Sequence, residues 1–431
     1  MNFSYFIARK VALSGQKSFS RLIIRIAVVA VALSIAVMIL STALITGFKK
    51  EISSKIFGFW GHIHITDPDV SQSLLEIYPI SSEQDFYPSL DTIKNVTYYE
   101  TKTIFGREVE REKITKGGVR HIQTYAIKPG IIKANDEIEG IILKGVGADF
   151  DWKFLQQYIQ KGEALHLPDT GYSNEILISK QTAERLKADV GDKFIIHFVE
   201  KGEQLRRRFV VSGIYRTGLE EYDSKFALVD IRQVQQILGW KPTEVSGFEV
   251  FIDDIDDLKT LNEYIYFEEL PTDLYAETIR EKFPEIFEWL ELQDINEVVI
   301  LVLMVIVALI NMVTALLILI LERTNMIGTL KALGSTNWSI RKVFLYYAAY
   351  IILVGLFWGN LFGIGLALIQ KHFGIIKLDE ANYYLSVAPI DLEAFSILGL
   401  NIGTLLVTLL FLIIPSYLVT RISPVKAIRF K

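Results

Sequence analysis

Four long apolar runs, at residues 22–48, 298–321, 343–370 and 395–420, divide the chain unevenly. Crossing the roughly 30 Å of hydrocarbon in a bilayer takes about 20 apolar residues as helix, and every run meets that length. The stretch between the first and second runs, residues 49–297, is polar and acidic, with the composition of a folded water-soluble domain. One helix, a large extramembrane domain and three clustered helices form the layout of a transporter permease. That layout bounds every functional reading.

Composition narrows the field. Of 431 residues 51% are hydrophobic, too many for an ordinary soluble protein and too few for a chain buried in lipid throughout. A net charge of −5 gives no reason to expect nucleic acid as a partner. Cysteine is absent, which excludes disulfides and thiolate metal sites. A domain outside the cytoplasm must then stand on its hydrophobic core.

Orientation follows from Lys and Arg near the membrane ends. Arg9, Lys10, Lys17, Arg21 and Arg25 precede or open the first run, Arg323, Lys331, Arg341 and Lys342 fill the loop 322–342, and Arg421, Lys426, Arg429 and Lys431 close the chain. All three groups belong on the cytoplasmic side, so both termini are expected there, with 49–297 and the loop 371–394 facing outward. Lys49, Lys50 and Lys55 oppose the rule, which long translocated domains escape. The first run is too long for a signal-peptide core and lacks a convincing small-x-small cleavage site, so an uncleaved anchor is expected.

Residues 1–21 read as a cytoplasmic amphipathic segment, with Phe3, Phe6, Ile7 and Val11 at helical spacing around Arg9 and Lys10. Within the outer domain, "GHIHIT", "NEILIS", "KFIIHFV" and "RRRFVVSGIYRTG" read as strands, being β-branched and aromatic with turn residues at their ends. "DWKFLQQYIQKG", "KQTAERLKADVGD" and "DIRQVQQILGW" read as helices ending at Gly162, Gly191 and Gly239. Two mixed subdomains are expected from this alternation. The acidic region 253–297, with Phe283, Ile286, Phe287 and Leu290 at helical spacing, reads as a stalk helix, and Pro284 marks a start or kink in it.

The first run carries Ala30, Ser34, Ala36, Ser41, Thr42 and Thr46, which suit either the wall of a substrate path or plain helix packing; Ser34, Ser41 and Asn311 are the candidate path residues. Gly355, Gly359 and Gly363 recur every fourth residue and allow another helix backbone to approach, within the chain or from a second subunit. Asn311, Asn360 and Asn401 are amides inside apolar runs, expected to point into the bundle because an unpaired amide in lipid is costly. Pro415 should kink the last helix. In the loop, Met326, Ile327, Leu330 and Leu333 share one helical face, Gly334 supplies a left-handed cap, and Ser335 or Thr336 caps the next helix. Such a face must bury itself on the bilayer surface or in the groove of a partner.

No G-x-x-x-x-G-K-[ST] occurs, so the chain has no phosphate-cradling loop. His62 and His64 fall on one strand face without a carboxylate or thiol pattern and read as ordinary strand residues. Glu220, Glu221 and Asp223 beside Tyr222 lack a nucleophile or base and read as a solvated loop, and Arg206–Arg208 as a hairpin edge kept soluble by charge. No catalytic, cofactor-binding or metal-binding constellation is present in the sequence.

At these motifs the chain resembles the permeases of ABC systems that share the FtsX-like transmembrane unit. "MIGTLKALGSTNWSIRKVF" is similar to that family's loop carrying a coupling helix, and "SPVKAIRFK" to its closing signature, here Pro424, Ala427 and Arg429. "FIARKVAL", "IILKGVGADFDW" and "ILISKQTAERLKADVGDKF…FVVSGIYRTGLEEYDSKFALV" are similar to the lipoprotein-releasing permeases of LolC/LolE type within it. The resemblance implies an α-helical membrane protein with four transmembrane helices plus a large α+β periplasmic domain inserted between helices 1 and 2, in the cell inner membrane. It also implies a non-catalytic subunit whose coupling helix, with Met326, Ile327, Leu330, Lys331, Leu333 and Gly334, docks on a cytosolic ABC ATPase dimer. ATP and magnesium would sit on that ATPase and no cofactor on this chain. A second permease chain, identical or paralogous, membrane lipid, lipoprotein substrates and a periplasmic lipoprotein carrier complete the implied partners. The alternative in the same family is a regulatory permease that passes ATPase motion to periplasmic partners such as cell-wall hydrolases without moving a substrate.

Overall fold

The computed structural model describes residues 18–69, 78–104, 107–134, 137–200 and 202–423. The amphipathic stretch before Ser18 and the closing Pro424, Ala427 and Arg429 lie outside them. The chain divides into two compact units: a helical one, with the N-terminal stretch to Glu51, Glu288–Lys377 and Val387 onward, and an extramembrane one, Ile52–Phe287 with Leu378–Ser386.

Four helices are long and apolar enough to cross a membrane: Leu22–Trp60, Pro284–Glu322, Asn337–Phe373 and Ala394–Arg421. Each contains one of the four apolar runs. The first belongs to a continuous 43-residue helix, Ser18–Trp60, that outlasts its apolar run because Ile52, Ile56, Phe59 and Trp60 keep the helical spacing and are buried. In the helical unit a core forms from Val31, Ile35, Met38 and Ile39 of the first long helix, Met312 and Leu316 of the second, Phe344 and Ile351 of the third and Leu412 of the fourth.

The glycine stripe sets the spacing of the first and third long helices. A Cβ at Gly355 would meet the Val31 side chain at 2.7 Å, one at Gly359 the Ala32 carbonyl at 2.8 Å, and one at Gly363 the Ala36 Cα at 3.0 Å. The stripe is therefore filled from within the chain. Asn360 and Asn401 exchange hydrogen bonds at 2.6 and 2.9 Å, joining the third and fourth long helices as the amides were expected to do. Asn311 differs: its amide donates to Val307 O of its own helix at 2.8 Å.

Fourteen strands occur among the described residues: β1 Ile63–Thr66, β2 Ile80–Ser81, β3 Thr97–Ile104, β4 Arg107–Ile114, β5 Val119–Ala134, β6 Glu137–Val146, β7 Ile159–Gly162, β8 Glu175–Ser179, β9 Lys193–Glu200, β10 Glu203–Tyr215, β11 Phe226–Asp230, β12 Glu244–Val245, β13 Gly247–Ile252 and β14 Tyr275–Thr278. Ten form one mixed sheet in the order β14-β1-β13-β5-β6-β11-β8-β10-β7, with β9 beside β10 and β5. β1, β11 and β13 are buried along their whole length, as strands covered on both faces must be. β5 pairs with β13, β6 and β9, so its sixteen residues stitch the strands on either side into one core. Two two-stranded sheets, β2 with β12 and β3 with β4, lie outside the ten-stranded sheet, and the unit has one main core, including Ile63, Ile122, Leu143, Ile178, Phe209, Val234 and Phe248, in place of the two subdomains the alternation implied.

Three local expectations are corrected. The helix over 152–162 stops at Gln156, and Ile159–Gly162 joins the sheet beside β10 because pairing along an open edge outweighs local helical pattern. The helix from Lys180 ends at Leu186, capped by Lys187 in the left-handed conformation (φ 52°) instead of by Gly191. The stalk does not reach back to 253 but begins at Pro284, the start the proline marked: residues before it fold as short helices and as β14 beside β1, and Thr278 with Glu281 forms a capping box that starts the turn ahead of Pro284.

The carbonyl end of the first long helix lies in a polar pocket of the extramembrane core. Lys144 Nζ donates to Phe59 O at 2.6 Å and pairs with Glu249 at 2.6 Å, both side chains almost wholly buried. Gln123 Nε2 donates to the other Glu249 oxygen at 2.7 Å. Lys144 also lies over the rings of Trp60 and Phe59, at 4.7 and 4.9 Å from their centroids. Burial pulls the Lys144 pKa down and pushes that of Glu249 up, while each partner's charge opposes the change. His64 Nε2 donates to Trp60 O at 2.6 Å, and burial holds this imidazole neutral. Removing one partner strands the other: Lys144→Met should cost about 3–5 kcal/mol, whereas Lys144→Met with Glu249→Leu should cost far less, read as thermal midpoints of the chain in detergent.

Candidate coupling site

The loop between the second and third long helices builds its own helix, Thr324–Ala332. Gly334 (φ +88°) turns the chain, the Ser335 amide donates back to Leu330 O at 3.0 Å, and the Thr336 hydroxyl caps the following helix by accepting from Ser339 N at 3.3 Å. The apolar face is divided. Ile327 is fully buried in the core of the helical unit, and Met326 and Leu330 pack partly against it. Leu333 is 79% exposed and Trp338, one turn into the next helix, 49%. Only the tip of the predicted face is open, because the bundle consumes the rest.

Lys331 does not present its charge outward. Its Nζ donates to Val419 O, Thr420 O and Ile422 O at 2.8, 3.2 and 2.8 Å, the carbonyls that end the last helix, and burial lowers its pKa. Arg341, 6% exposed, reaches the same region: Nε donates to Ser416 Oγ at 2.9 Å, Nη2 to Ile413 O at 3.1 Å, and the guanidinium lies 3.7 Å over the Tyr417 ring. Pro415 explains the arrangement. A proline lacks the amide that would bond Phe411 O, and beyond it Tyr417 N shifts to Ile414 O, which leaves Ile413 O for Ser416 and Arg341. Pro415 sits inside Ala394–Ser416, and the helix resumes as Leu418–Arg421. Sequence reading missed Arg341 and Ser416; the signal available was Pro415 itself, which frees carbonyls that need donors.

Elsewhere the candidates separate. Ser34 is 2% exposed and Ser41 half-buried on the first long helix, and no hydrogen bond among the described residues joins them to Asn311. The three lysines that oppose the charge rule are engaged: Lys49 pairs with Asp294 at 2.6 Å, Lys50 with Asp391 at 2.7 Å, and Lys55 donates to Tyr384 O at 3.1 Å. His62 Nδ1 accepts from Ile252 N at 3.4 Å, its ring stacks on Phe57, and burial brings its pKa down to about 3. Among the described residues no cluster of three His, Cys, Asp or Glu is placed to hold a metal.

The "EEYD" stretch is corrected: it is a short helix, Glu220–Asp223, with Tyr222 and Asp223 each 4% exposed. The Asp223 carboxylate accepts from Thr217 N, Thr217 Oγ1 and Gly218 N at 3.0, 2.7 and 3.1 Å. Burial nonetheless pushes its pKa up to about 6, above the ordinary 3.8.

Residues 298–424 match the family model described as FtsX-like permease C-terminal, and residues 26–265, more than half of the chain, match the MacB-like periplasmic core domain. The chain belongs to the family of ABC-transporter permeases assembled from these two parts, with membrane-spanning helices and a periplasmic domain. Along nearly its whole length it is similar to the LolC/LolE group. The lipoprotein-releasing system transmembrane protein LolC of Xylella fastidiosa (strain Temecula1) is 22% identical over 420 residues, covering 94% of this chain and 93% of that one. The corresponding LolE of Haemophilus influenzae is 21% identical over 450 residues, covering 99% of each. The extracellular domain of the noncanonic ABC-type transporter YknZ from Gram-positive bacteria covers 50% of this chain and 98% of its own, at 15% identity and a TM-score of 0.31.

Two outcomes are expected. Lys331→Met removes three bonds from terminal carbonyls, so amides over 418–423 should exchange about tenfold faster, the equivalent of about 1.4 kcal/mol, measured by hydrogen exchange. Because folding raises the Asp223 pKa, the folded state holds that proton more tightly than the unfolded chain. The Asp223 contribution to stability should therefore grow as pH falls through about 6 toward 3.8, and Asp223→Asn should flatten that part of the thermal-midpoint profile.

Proposed function

We propose that this chain is the permease subunit of an ATP-driven complex that extracts lipid-anchored proteins from the inner membrane and hands them to a periplasmic carrier. The observation that carries the reading is the end-to-end similarity to chains named as transmembrane proteins of lipoprotein-releasing systems, which spans both units and the loop. Both termini and the 322–342 loop are then cytoplasmic. Acyl chains suit an apolar path, and each CH₂ moved toward water costs about 0.8 kcal/mol, so release needs an energy source and a hydrophobic receiver. The source is a separate cytosolic ATPase dimer that carries ATP and magnesium, and a second permease chain completes the membrane part.

In this reading the ATPase seats on the open tip, Leu333 to Trp338. Closure of the nucleotide-bound dimer presses on the short helix Thr324–Ala332, and Lys331 and Arg341 pass the displacement to the end of the last helix through the carbonyls they hold. The regulatory alternative shares this machinery and differs only in lacking a transported substrate. Depleting the protein and fractionating membranes separates the two: outer-membrane lipoproteins retained in the inner membrane fit release, and normal sorting with a septation defect fits regulation.

Leu333→Asp tests the docking surface. With the side chain 79% exposed, the variant should insert and fold as the parent does while co-purifying less than about a tenth as much ATPase. Unchanged co-purification and unchanged release would sink the assignment.

A further inference from the structure

The segment "YRTGLEEYD", residues 215–223, takes no part in that reading, yet the extramembrane unit builds it as a receptor. Its occupant comes from far along the chain. Leu378–Ser386, which lies in sequence between the third and fourth long helices, folds as part of the extramembrane unit. The neck of this excursion is closed by Leu378 N donating to Ser386 O at 3.0 Å, and a short helix, Glu380–Tyr383, opens with Glu380.

Two contacts hold the segment. The Arg216 guanidinium pairs with the Glu380 carboxylate. Lys55 Nζ donates to Tyr384 O at 3.1 Å, and Lys55 is 7% exposed. Between them lies Gly218, where a Cβ would stand 2.6 Å from Glu380 Oε1, 2.9 Å from Lys55 Nζ and 3.2 Å from Tyr384 O. Gly218 also sits at φ +82°, which is the ground that demands glycine, and a side chain there would in addition displace the ends of Glu380 and Lys55. Asp223 fixes the turn from beneath by accepting from Thr217 and Gly218, and Arg216 N donates to Tyr158 O at 2.9 Å. A connection that only had to return the chain to the membrane would need none of this.

We infer that Arg216 and Glu380 are positioning residues of the transport cycle, which clasp Leu378–Ser386 so that displacement of the third and fourth long helices is delivered to the periplasmic unit. The inference rests on the reading of the chain as an ATP-driven permease. A part-exposed ion pair adds little to global stability, so the clasp is suited to transmitting a displacement more than to holding the fold. Its partners are both charged and 164 residues apart, which makes it open to charge reversal.

The test uses the complete complex in lipid, with a membrane-inserted acylated reporter protein and a soluble acceptor. Arg216→Glu and Glu380→Arg should each lower reporter released per ATP hydrolysed about tenfold, and the double variant should return it to within about twofold of the parent. Hydrogen exchange over 378–386 should run about tenfold faster in each single variant and recover in the double. A double variant no better than the singles, or single variants whose exchange matches the parent, overturns the clasp. If the parent hydrolyses ATP and releases no reporter, the lipoprotein reading falls, and the exchange pattern by itself then upholds or overturns the clasp.

Discussion

A long helix that ends in apolar surroundings leaves its last carbonyls without donors, and much of this protein is arranged around supplying them. At the end of the first long helix the donors are Lys144 to Phe59 O and His64 to Trp60 O. At the broken end of the last they are Arg341 to Ile413 O and Lys331 to Val419, Thr420 and Ile422. Each donor brings further requirements. A buried ammonium at Lys144 needs Glu249, which needs Gln123, and that chain of needs fixes the register of β6, β13 and β5 around one pocket.

The same economy shapes the surface left for a partner. A helical face read alone over 326–333 offers four apolar side chains, but Ile327 is spent on the core and Met326 and Leu330 partly so. Leu333 and Trp338 stay open because they lie at and beyond the turn made by Gly334. Lys331 of the same helix grips the carbonyls that end the last helix.

Much of this was legible beforehand, and the misses share a cause. The four long helices, the Thr336 cap, the end of the helix at Gly239 and the paired Asn360 and Asn401 follow from local spacing and from the cost of an unpaired amide in lipid. The strands at Ile159–Gly162 and Tyr275–Thr278 do not, since each is decided by a partner distant in sequence, β10 and β1, and the burial of Asp223 depends on the nearby Thr217 turn, which the charge pattern alone does not show. Lys331 and Arg341 were legible as charges and illegible as donors, because their acceptors appear only once Pro415 has broken a helix some 75 to 90 residues away.

The sequence by itself determined the number and placement of the apolar helices, the large domain between the first two and the absence of a nucleotide loop, since hydrocarbon thickness and helical period act on contiguous residues. Which face of the loop helix stays open was decided only by tertiary structure. So were the filling of the Gly355, Gly359 and Gly363 stripe from within the chain and the folding of Leu378–Ser386 against Arg216 and Gly218. These depend on which distant carbonyls, carboxylates and backbones compete for the same side chains, and that competition exists only in the folded chain.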